Sequence, residues 1–245
     1  MLGLEGVRKA FRGEAVIDGV TLGIERGEAV GIIGPAASGK SVLLKLLCTL
    51  LRPDAGRVTV GGEDLTVAGE ERLMEVRARF GMLFQNNALF DFLDVGDNVG
   101  FPLSRRGGVA RDEVERRVGE RLRAVGLSGS ERKLPGELSG GMRKRAGIAR
   151  ALIADPDVVL YDEPTAGLDP VTTSKIYDLL RAERDRTGAT VVVVSSDVAA
   201  LRTFVPRLVL LHQGRVRYDG PSEGAEEATD PLVRQFVRGE TEGPL

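Results

Sequence analysis

The sequence predicts an α/β fold with a parallel sheet core, an N-terminal antiparallel β subdomain and an inserted α-helical subdomain. Apolar runs at Val158–Tyr161 and Thr190–Val194 are separated by a helical segment at Thr172–Arg186. A further helix is expected at Met142–Ala154, directly before the first of these runs. This βαβ order is typical of parallel sheets, which present binding groups at the carboxyl ends of their strands.

The first part of the chain predicts the antiparallel subdomain. Residues 1–33 alternate short apolar runs with turn pairs such as Arg12-Gly13, and the run Arg57–Val60 ends at Gly61-Gly62. Short strands bounded by such pairs are typical of antiparallel sheets.

A phosphate-binding loop is predicted between an expected strand at Glu28–Ile33 and an expected helix at Val42–Leu51. The intervening residues match the pattern G-x-x-x-x-G-K-[ST] at every required position. The glycines let successive N–H groups converge on phosphate oxygens, and the helix N-terminus adds a positive dipole. The residues of this phosphate loop are Gly34, Pro35, Ala36, Ala37, Ser38, Gly39, Lys40 and Ser41.

This loop predicts a bound nucleoside triphosphate. Lys40 can reach the β- and γ-phosphates, and the Ser41 hydroxyl can hold Mg²⁺. The alternative is a glycine-rich turn that binds nothing.

Two carboxylates follow the apolar strand at Val158–Tyr161. Asp162 can bind Mg²⁺ through water, and Glu163 can orient or deprotonate an attacking water. By themselves the two residues are equally compatible with a strand end that meets solvent.

A second glycine-containing turn opens the helix that precedes this strand. Its residues Ser139, Gly140 and Gly141, here called the Ser139 turn, make another potential anion site at a helix N-terminus. One nucleotide could use both turns if two chains faced each other.

Composition limits the classes of function. Of the 245 residues, 42% are hydrophobic and 29% are charged, and the net charge of -2 gives no reason to expect nucleic acid as a partner. The single cysteine, Cys48, excludes a disulfide within the chain. We see no signal peptide and no apolar run of the ~18 residues that a membrane span needs, and we therefore expect a soluble cytoplasmic protein.

Five motifs in this order give the chain a family resemblance: the phosphate loop, Gln85, Leu138–Gly141, Leu160–Glu163 and Gly167-Leu168-Asp169. Across almost its whole length the chain resembles the ATPase domain of ABC transporters. The resemblance implies a P-loop NTPase fold with a RecA-like core and a head-to-tail dimer holding two ATP molecules. Each ATP would lie between the phosphate loop of one chain and the Ser139 turn of the other.

The resemblance also implies roles for single residues. Gln85 would bind Mg²⁺ and link the site to the helical subdomain, and Asp169 would contact the opposite chain. Phe11 stands where the family places an adenine-stacking aromatic, although a buried strand phenylalanine is the alternative.

One position departs from the family pattern. Ser196 stands where members usually have a histidine that contacts the γ-phosphate, and the only histidine, His212, lies in the following strand region. A serine hydroxyl is shorter than an imidazole and carries no positive charge. We therefore expect hydrolysis that is slow but present, unless a water or Ser195 replaces the imidazole.

Domain boundaries follow from these motifs. The whole chain, 1–245, reads as one ABC ATPase domain. Its α/β nucleotide-binding core would comprise residues 1–84 and 151–218, its helical subdomain residues 85–150, and an acidic surface tail residues 219–245.

Four further segments are similar to the ATPase subunit of Mla- or Mce-type phospholipid transporters. They are Phe84–Phe90, Asp97-Asn98-Val99, Met142 and the ending at Asp230–Val237 with Glu242-Gly243-Pro244. This resemblance implies an integral membrane permease, a second ATPase chain in a homodimer and a lipid-binding Mce-type protein as partners. The chain would then lie on the inner face of the cell membrane as a peripheral protein, with Gln85–Phe101 as its coupling surface.

Other functions remain open at this point. The chain could serve another class of ABC transporter, or act as a slowly hydrolysing, ATP-gated regulatory switch. A soluble ABC ATPase that works on DNA or ribosomes would need coiled-coil inserts or a tandem second ATPase domain, for which 245 residues leave no room. A heterodimer is the alternative to the homodimer.

Overall fold

The computed structural model describes residues 1–245, which form two compact units. The first comprises Met1–Arg77 together with Thr190–Leu245, and the second comprises Ala78–Ala189. The boundaries expected for the nucleotide-binding core and the helical subdomain stay predictions.

The chain contains ten strands and eight α-helices. The strands are β1 (Leu2–Phe11), β2 (Glu14–Ile24), β3 (Ala29–Ile33), β4 (Ala55–Val60), β5 (Glu63–Asp64), β6 (Phe80–Leu83), β7 (Val158–Asp162), β8 (Thr190–Val194), β9 (Arg207–His212) and β10 (Arg215–Pro221). The helices are α1 (Lys40–Leu47), α2 (Glu70–Arg77), α3 (Val95–Arg106), α4 (Arg111–Ala124), α5 (Gly140–Leu152), α6 (Pro170–Thr187), α7 (Val198–Arg202) and α8 (Pro231–Arg238). None of these helices combines the length and the apolar composition that a membrane span requires.

An antiparallel sheet in the order β2-β1-β4-β5 belongs to the first unit, as the sequence predicted. A two-residue turn joins β1 to β2. Arg12 and Gly13 have φ angles of 52° and 87°, and Phe11 pairs with Glu14 across the turn. Positive φ at both central residues matches the turn type that suits the twist of a β-hairpin.

Four further strands of the first unit lie in the order β10-β9-β3-β8. Strand β3 pairs in parallel with both β8 and β9, and every residue of β3 and β8 is buried. Continuous apolar strands of this kind are typical of a parallel sheet covered on both faces. The predicted strand Thr190–Val194 is confirmed as β8.

Helix α1 differs from the expected Val42–Leu51. It begins at Lys40, because Gly39 adopts the left-handed conformation directly before it. It ends at Leu47, and Thr49 has a φ of 59° that cannot continue a helix. The helix is therefore shorter and begins closer to the phosphate loop than the apolar run indicated.

The end of the chain is more ordered than the expected surface tail. Helix α8 buries Leu232, Val233 and Val237, and the Asp230 carboxylate accepts a hydrogen bond from the Leu232 N–H at 3.0 Å. Gly239 closes the helix in the left-handed conformation. The acidic composition of the segment concealed a short amphipathic helix with a capping residue at each end.

The second unit contains the parallel pair β6 and β7 and the helices α3 to α6. Helices α3, α4 and α5 share one apolar core. Its central members are Val95, Val99, Leu103, Val118, Leu122, Ala146 and Ala149.

Candidate functional site

The phosphate loop connects β3 to α1 and demands glycine at two positions. Gly34 has a φ of 147°, and a Cβ there would lie 2.0 Å from the Leu211 carbonyl oxygen. Gly39 has a φ of 101°, and a Cβ there would lie 2.8 Å from the Val16 carbonyl oxygen. The backbone of the loop is thus held in a curve that only glycine allows at these points.

The N-terminus of α1 is open to an anion. No side chain caps it, and its first turn contains no acidic residue. The buried Ser38 hydroxyl has no hydrogen-bond partner within the protein. Buried polar groups are normally paired, so this hydroxyl and the uncapped N–H groups point to a ligand rich in oxygen atoms.

The Lys40 ammonium lies against the phosphate loop. It donates hydrogen bonds to the carbonyl oxygens of Gly34 at 2.8 Å and Pro35 at 2.7 Å. Ser41 follows it in α1 and is half-buried. The loop therefore carries a positive charge and a hydroxyl beside its N–H groups.

Phe11 lies at the end of β1 with 42% of its surface exposed. The buried-strand alternative is therefore wrong. The Lys9 ammonium lies 5.6 Å from the ring centroid and also pairs with Asp54 at 2.6 Å. The ring is available to stack on a base.

Ser196 follows β8 at the carboxyl end of the parallel strands. The preceding residue, Ser195, is buried and its N–H donates to the Ile32 carbonyl at 3.3 Å, near the end of β3. Ser196 itself is exposed. His212 ends β9 and is half-buried.

In the second unit, Asp162 and Glu163 stand at the end of β7 and are 4% and 9% exposed. Glu163 has a φ of 52°, an uncommon conformation for a residue other than glycine. Such local strain is found most often at functional sites.

Lys144 of α5 is a site residue that sequence analysis missed. Its ammonium donates to the carbonyl oxygens of Gln85 and Glu163, both at 2.8 Å, and the residue is 5% exposed. Burial lowers the pKa of Lys144, while the negative charges of Glu163 and Asp162 oppose that shift. The signal in the sequence that could have indicated this residue was a lysine on the buried face of a helix, one turn before Ile148.

The Ser139 turn and Asp169 each begin a helix. The Ser139 hydroxyl accepts from the Met142 N–H at 3.2 Å, and a Cβ on Gly140 would meet nothing within 4 Å. The exposed Asp169 carboxylate accepts from the Thr172 N–H and hydroxyl at 2.9 and 2.6 Å. These hydrogen bonds hold the pKa of Asp169 below its usual range.

The predicted site residues fall into two sets. The first unit carries the phosphate loop, Phe11 and Ser196. The second carries Gln85, the Ser139 turn, Asp162, Glu163 and Asp169. Within the second set, Lys144 links the main chain of Gln85 directly to that of Glu163.

Comparison with known proteins identifies a matching family, two similar proteins and a similar solved structure. Residues 17–166 match the family described as ABC transporter. Over 242 residues the chain is 40% identical to the probable ribonucleotide transport ATP-binding protein mkl of Mycobacterium leprae, covering 99% of this chain and 70% of that protein. Over 235 residues it is 37% identical to the intermembrane phospholipid transport system ATP-binding protein MlaF of Haemophilus influenzae, covering 96% and 89%.

A solved dimeric ATP-binding cassette, in a post-hydrolysis state bound to ADP and Pi, has the same fold. Its TM-score is 0.85 at 33% identity, over 91% of this chain and 99% of that one. The predicted α/β nucleotide-binding fold is confirmed by this likeness.

Proposed function

This chain belongs to the ABC transporter family, and we propose that it is the ATP-hydrolysing subunit of a phospholipid transporter of the Mla or Mce type. ATP would drive two such chains together, and hydrolysis would release them. The observation that carries the assignment of ATP binding is the phosphate loop, where glycines at positive φ, an uncapped helix and the unpaired Ser38 hydroxyl coincide.

Nucleotide binding is assigned to the first unit. The loop N–H groups and the Ser38 hydroxyl donate to phosphate oxygens, and Lys40 exchanges the carbonyls of Gly34 and Pro35 for the β- and γ-phosphates. The Phe11 ring stacks on the adenine.

A magnesium ion suits the oxygen donors that these residues supply. The Ser41 hydroxyl, the buried Asp162 carboxylate and the Gln85 amide oxygen would hold it. When bound, it would neutralise charge on the phosphate oxygens.

Glu163 acts on the attacking water, orienting it or accepting its proton. The left-handed backbone conformation of Glu163 fixes the point at the end of β7 from which its carboxylate side chain extends. Ser196 takes the place of the family's histidine without its charge. We therefore propose that hydrolysis is slow, because one stabilising interaction with the γ-phosphate is weakened.

A facing chain completes each nucleotide site. The Ser139 turn and Asp169 of that chain would contact the nucleotide and the opposite phosphate loop. Nothing within this chain requires Gly140 to lack a side chain, since a Cβ there has free space. Close approach of a partner's nucleotide supplies a reason for the glycine.

The permease would dock on the segment Gln85–Phe101. Phe92 is 80% exposed, and the Phe90 ring lies 5.7 Å from Phe92 and 4.8 Å from Phe101. An open groove of about 840 Å³ is lined by residues of α3 and α4, by Asp94 before α3, and by Glu131 and Arg132. An exposed aromatic cluster beside a groove is typical of a protein interaction surface.

Phospholipid transport and location at the inner face of the cell membrane rest on similarity to relatives. The name of the Haemophilus protein states phospholipid transport, whereas that of the Mycobacterium protein states ribonucleotide transport. Another transporter class is thus the first alternative. A slowly hydrolysing ATP-gated switch is the second, and Ser196 favours it.

Purification from native membranes, with mass spectrometry of the co-purifying subunits and lipids, tests the proposal. A permease together with a lipid-binding Mce-type protein would support it. Isolation of a soluble dimer without membrane subunits would contradict the transporter assignment, and a permease with a polar solute-binding partner would contradict the lipid.

A further inference from the structure

Lys144 brings together three segments of the second unit. It lies on α5, the helix that begins at the Ser139 turn, and its ammonium binds the main chain at Gln85 and at Glu163. Along the chain these carbonyls lie 59 and 19 residues away from Lys144. A single side chain thus joins the turn after β6, the strained residue after β7 and the helix between them.

Arg150 provides a second connection from the same helix. Its guanidinium donates to the carbonyl oxygens of Asn87 and Ala88, each at 2.6 Å. Asn87 and Ala88 have φ angles of 63° and 48°. Two side chains of α5, Lys144 and Arg150, therefore hold the main chain from Gln85 to Ala88. Of the two, Lys144 also reaches Glu163.

The contacts of Lys144 are specific to a long cationic side chain. Two hydrogen bonds from one ammonium satisfy two carbonyls that come from different segments, and the buried charge is compensated by the nearby Asp162 and Glu163. Burying an ammonium is unfavourable unless it is paired in this way. An apolar side chain of similar length would remove this donor from both carbonyls, although the Glu163 carbonyl would keep the Ala166 N–H at 3.4 Å.

A helix transmits a displacement along its axis without much deformation. Lys144 follows Ser139 by five residues, or about 7.5 Å of helical rise at ~1.5 Å per residue. A ligand that moves the Ser139 turn would therefore also move the Lys144 ammonium and the two carbonyls bound to it.

We propose that Lys144 is a positioning residue for ATP hydrolysis. It fixes the main chain of Glu163 and Gln85 relative to α5, so that nucleotide contact at the Ser139 turn of a chain aligns Glu163 of that same chain. In a head-to-tail dimer this couples the two nucleotide sites. The inference rests on the roles proposed above for Glu163, Gln85 and the Ser139 turn.

Steady-state ATP hydrolysis by the full chain tests this with Lys144→Met, Lys144→Arg and a matched control. Arg145→Met is the control, because Arg145 lies on the same helix and donates to two carbonyls, those of Val125 and Gly126, at 3.0 Å each. Nucleotide affinity, the Hill coefficient for ATP and the melting temperature are measured for each variant.

For Lys144→Met we expect kcat to fall about tenfold or more while KM changes less than about twofold, because alignment rather than binding is lost. The Hill coefficient should fall toward one. Lys144→Arg should recover part of kcat, and Arg145→Met should keep wild-type kcat even if its melting temperature falls. Should Lys144→Met fail to fold, Lys144→Gln replaces it. Its shorter, uncharged amide should not reach both carbonyls, so kcat should still fall.

Wild-type kcat in folded Lys144→Met, or in Lys144→Gln where that variant replaces it, would overturn the inference, as would equal losses of kcat in Lys144→Met and Arg145→Met. Glu163→Gln separates this failure from failure of the proposed function. If Glu163→Gln hydrolyses ATP normally, the role of Glu163 itself is wrong. If Glu163→Gln is inactive and Lys144→Met is normal, only the inference about Lys144 is wrong.

Discussion

Gly34 and Leu211 lie so close that a single added carbon would collide with the main chain, 2.0 Å from the Leu211 carbonyl oxygen. Leu211 belongs to β9, the parallel neighbour of β3. The start of the phosphate loop is therefore shaped by the adjacent strand as well as by its own sequence.

Gly34→Ala should destabilise the protein by about 1–3 kcal/mol, since both the φ of residue 34 and the contact with Leu211 are unfavourable for alanine. Nucleotide affinity should fall with it. Urea denaturation and nucleotide titration measure the two effects. Gly69→Ala is the control, because a Cβ at residue 69 meets nothing within 4 Å; a loss as large in the control would contradict the steric explanation.

Ser196→His should raise kcat with little change in ATP affinity. An imidazole after β8 would reach further than the serine hydroxyl and could carry a positive charge toward the γ-phosphate. Phosphate release under saturating ATP gives kcat. Ser128→His, at another exposed serine, controls for adding a histidine, and an unchanged or lower kcat in Ser196→His would count against the proposed role.

Cys48 should resist alkylation in the folded protein. The thiol is 2% exposed, and burial raises its pKa to about 11. At pH 8 only about one thiol in a thousand is then ionised, and the thiolate is the reactive form. Iodoacetamide labelling followed by mass spectrometry should be slow in buffer and fast in urea.

The same shift in the pKa of Cys48 has a consequence for stability. Above the ordinary thiol pKa of 9.0 the unfolded chain ionises while the folded chain stays protonated up to about pH 11. The free energy of unfolding should therefore fall as the pH rises from 9.0 to about 11, because the unfolded chain releases a proton that the folded chain keeps. A Cys48→Ala variant should lack this part of the alkaline loss.

Arg121→Met should destabilise the second unit by about 2–3 kcal/mol, because it leaves a buried carboxylate with weaker compensation. Arg121 and Glu183 are paired at 2.7 Å, with side chains 11% and 9% exposed. Arg111→Met removes the solvent-exposed pair with Glu115 and should change stability by less than about 0.5 kcal/mol. Equal effects of the two variants on urea denaturation would refute the argument from burial.

The phosphate loop could be predicted because its chemistry is encoded by residue types at fixed local spacing. Strand β8 could be predicted equally well from the sequence, since its five consecutive buried residues form one apolar run. The lysine on the apolar face of α5 was a signal in the sequence, but its two carbonyl partners could not be predicted, because they become neighbours of Lys144 only in the folded chain. The acidic composition of the last segment indicated a surface tail, whereas the spacing of Leu232, Val233 and Val237 suits the buried face of helix α8.

Phe11 offers a bound base only the face of a ring, since a phenylalanine side chain has neither a hydrogen-bond donor nor an acceptor. The Lys9 ammonium lies over the ring, at 5.6 Å from its centroid. Stacking strengthens binding but does not distinguish one purine from another. If Phe11 is the only contact to the base, the affinities for GTP and ATP should be nearly equal. The relative concentrations of the two nucleotides in the cell would then determine which of them is hydrolysed.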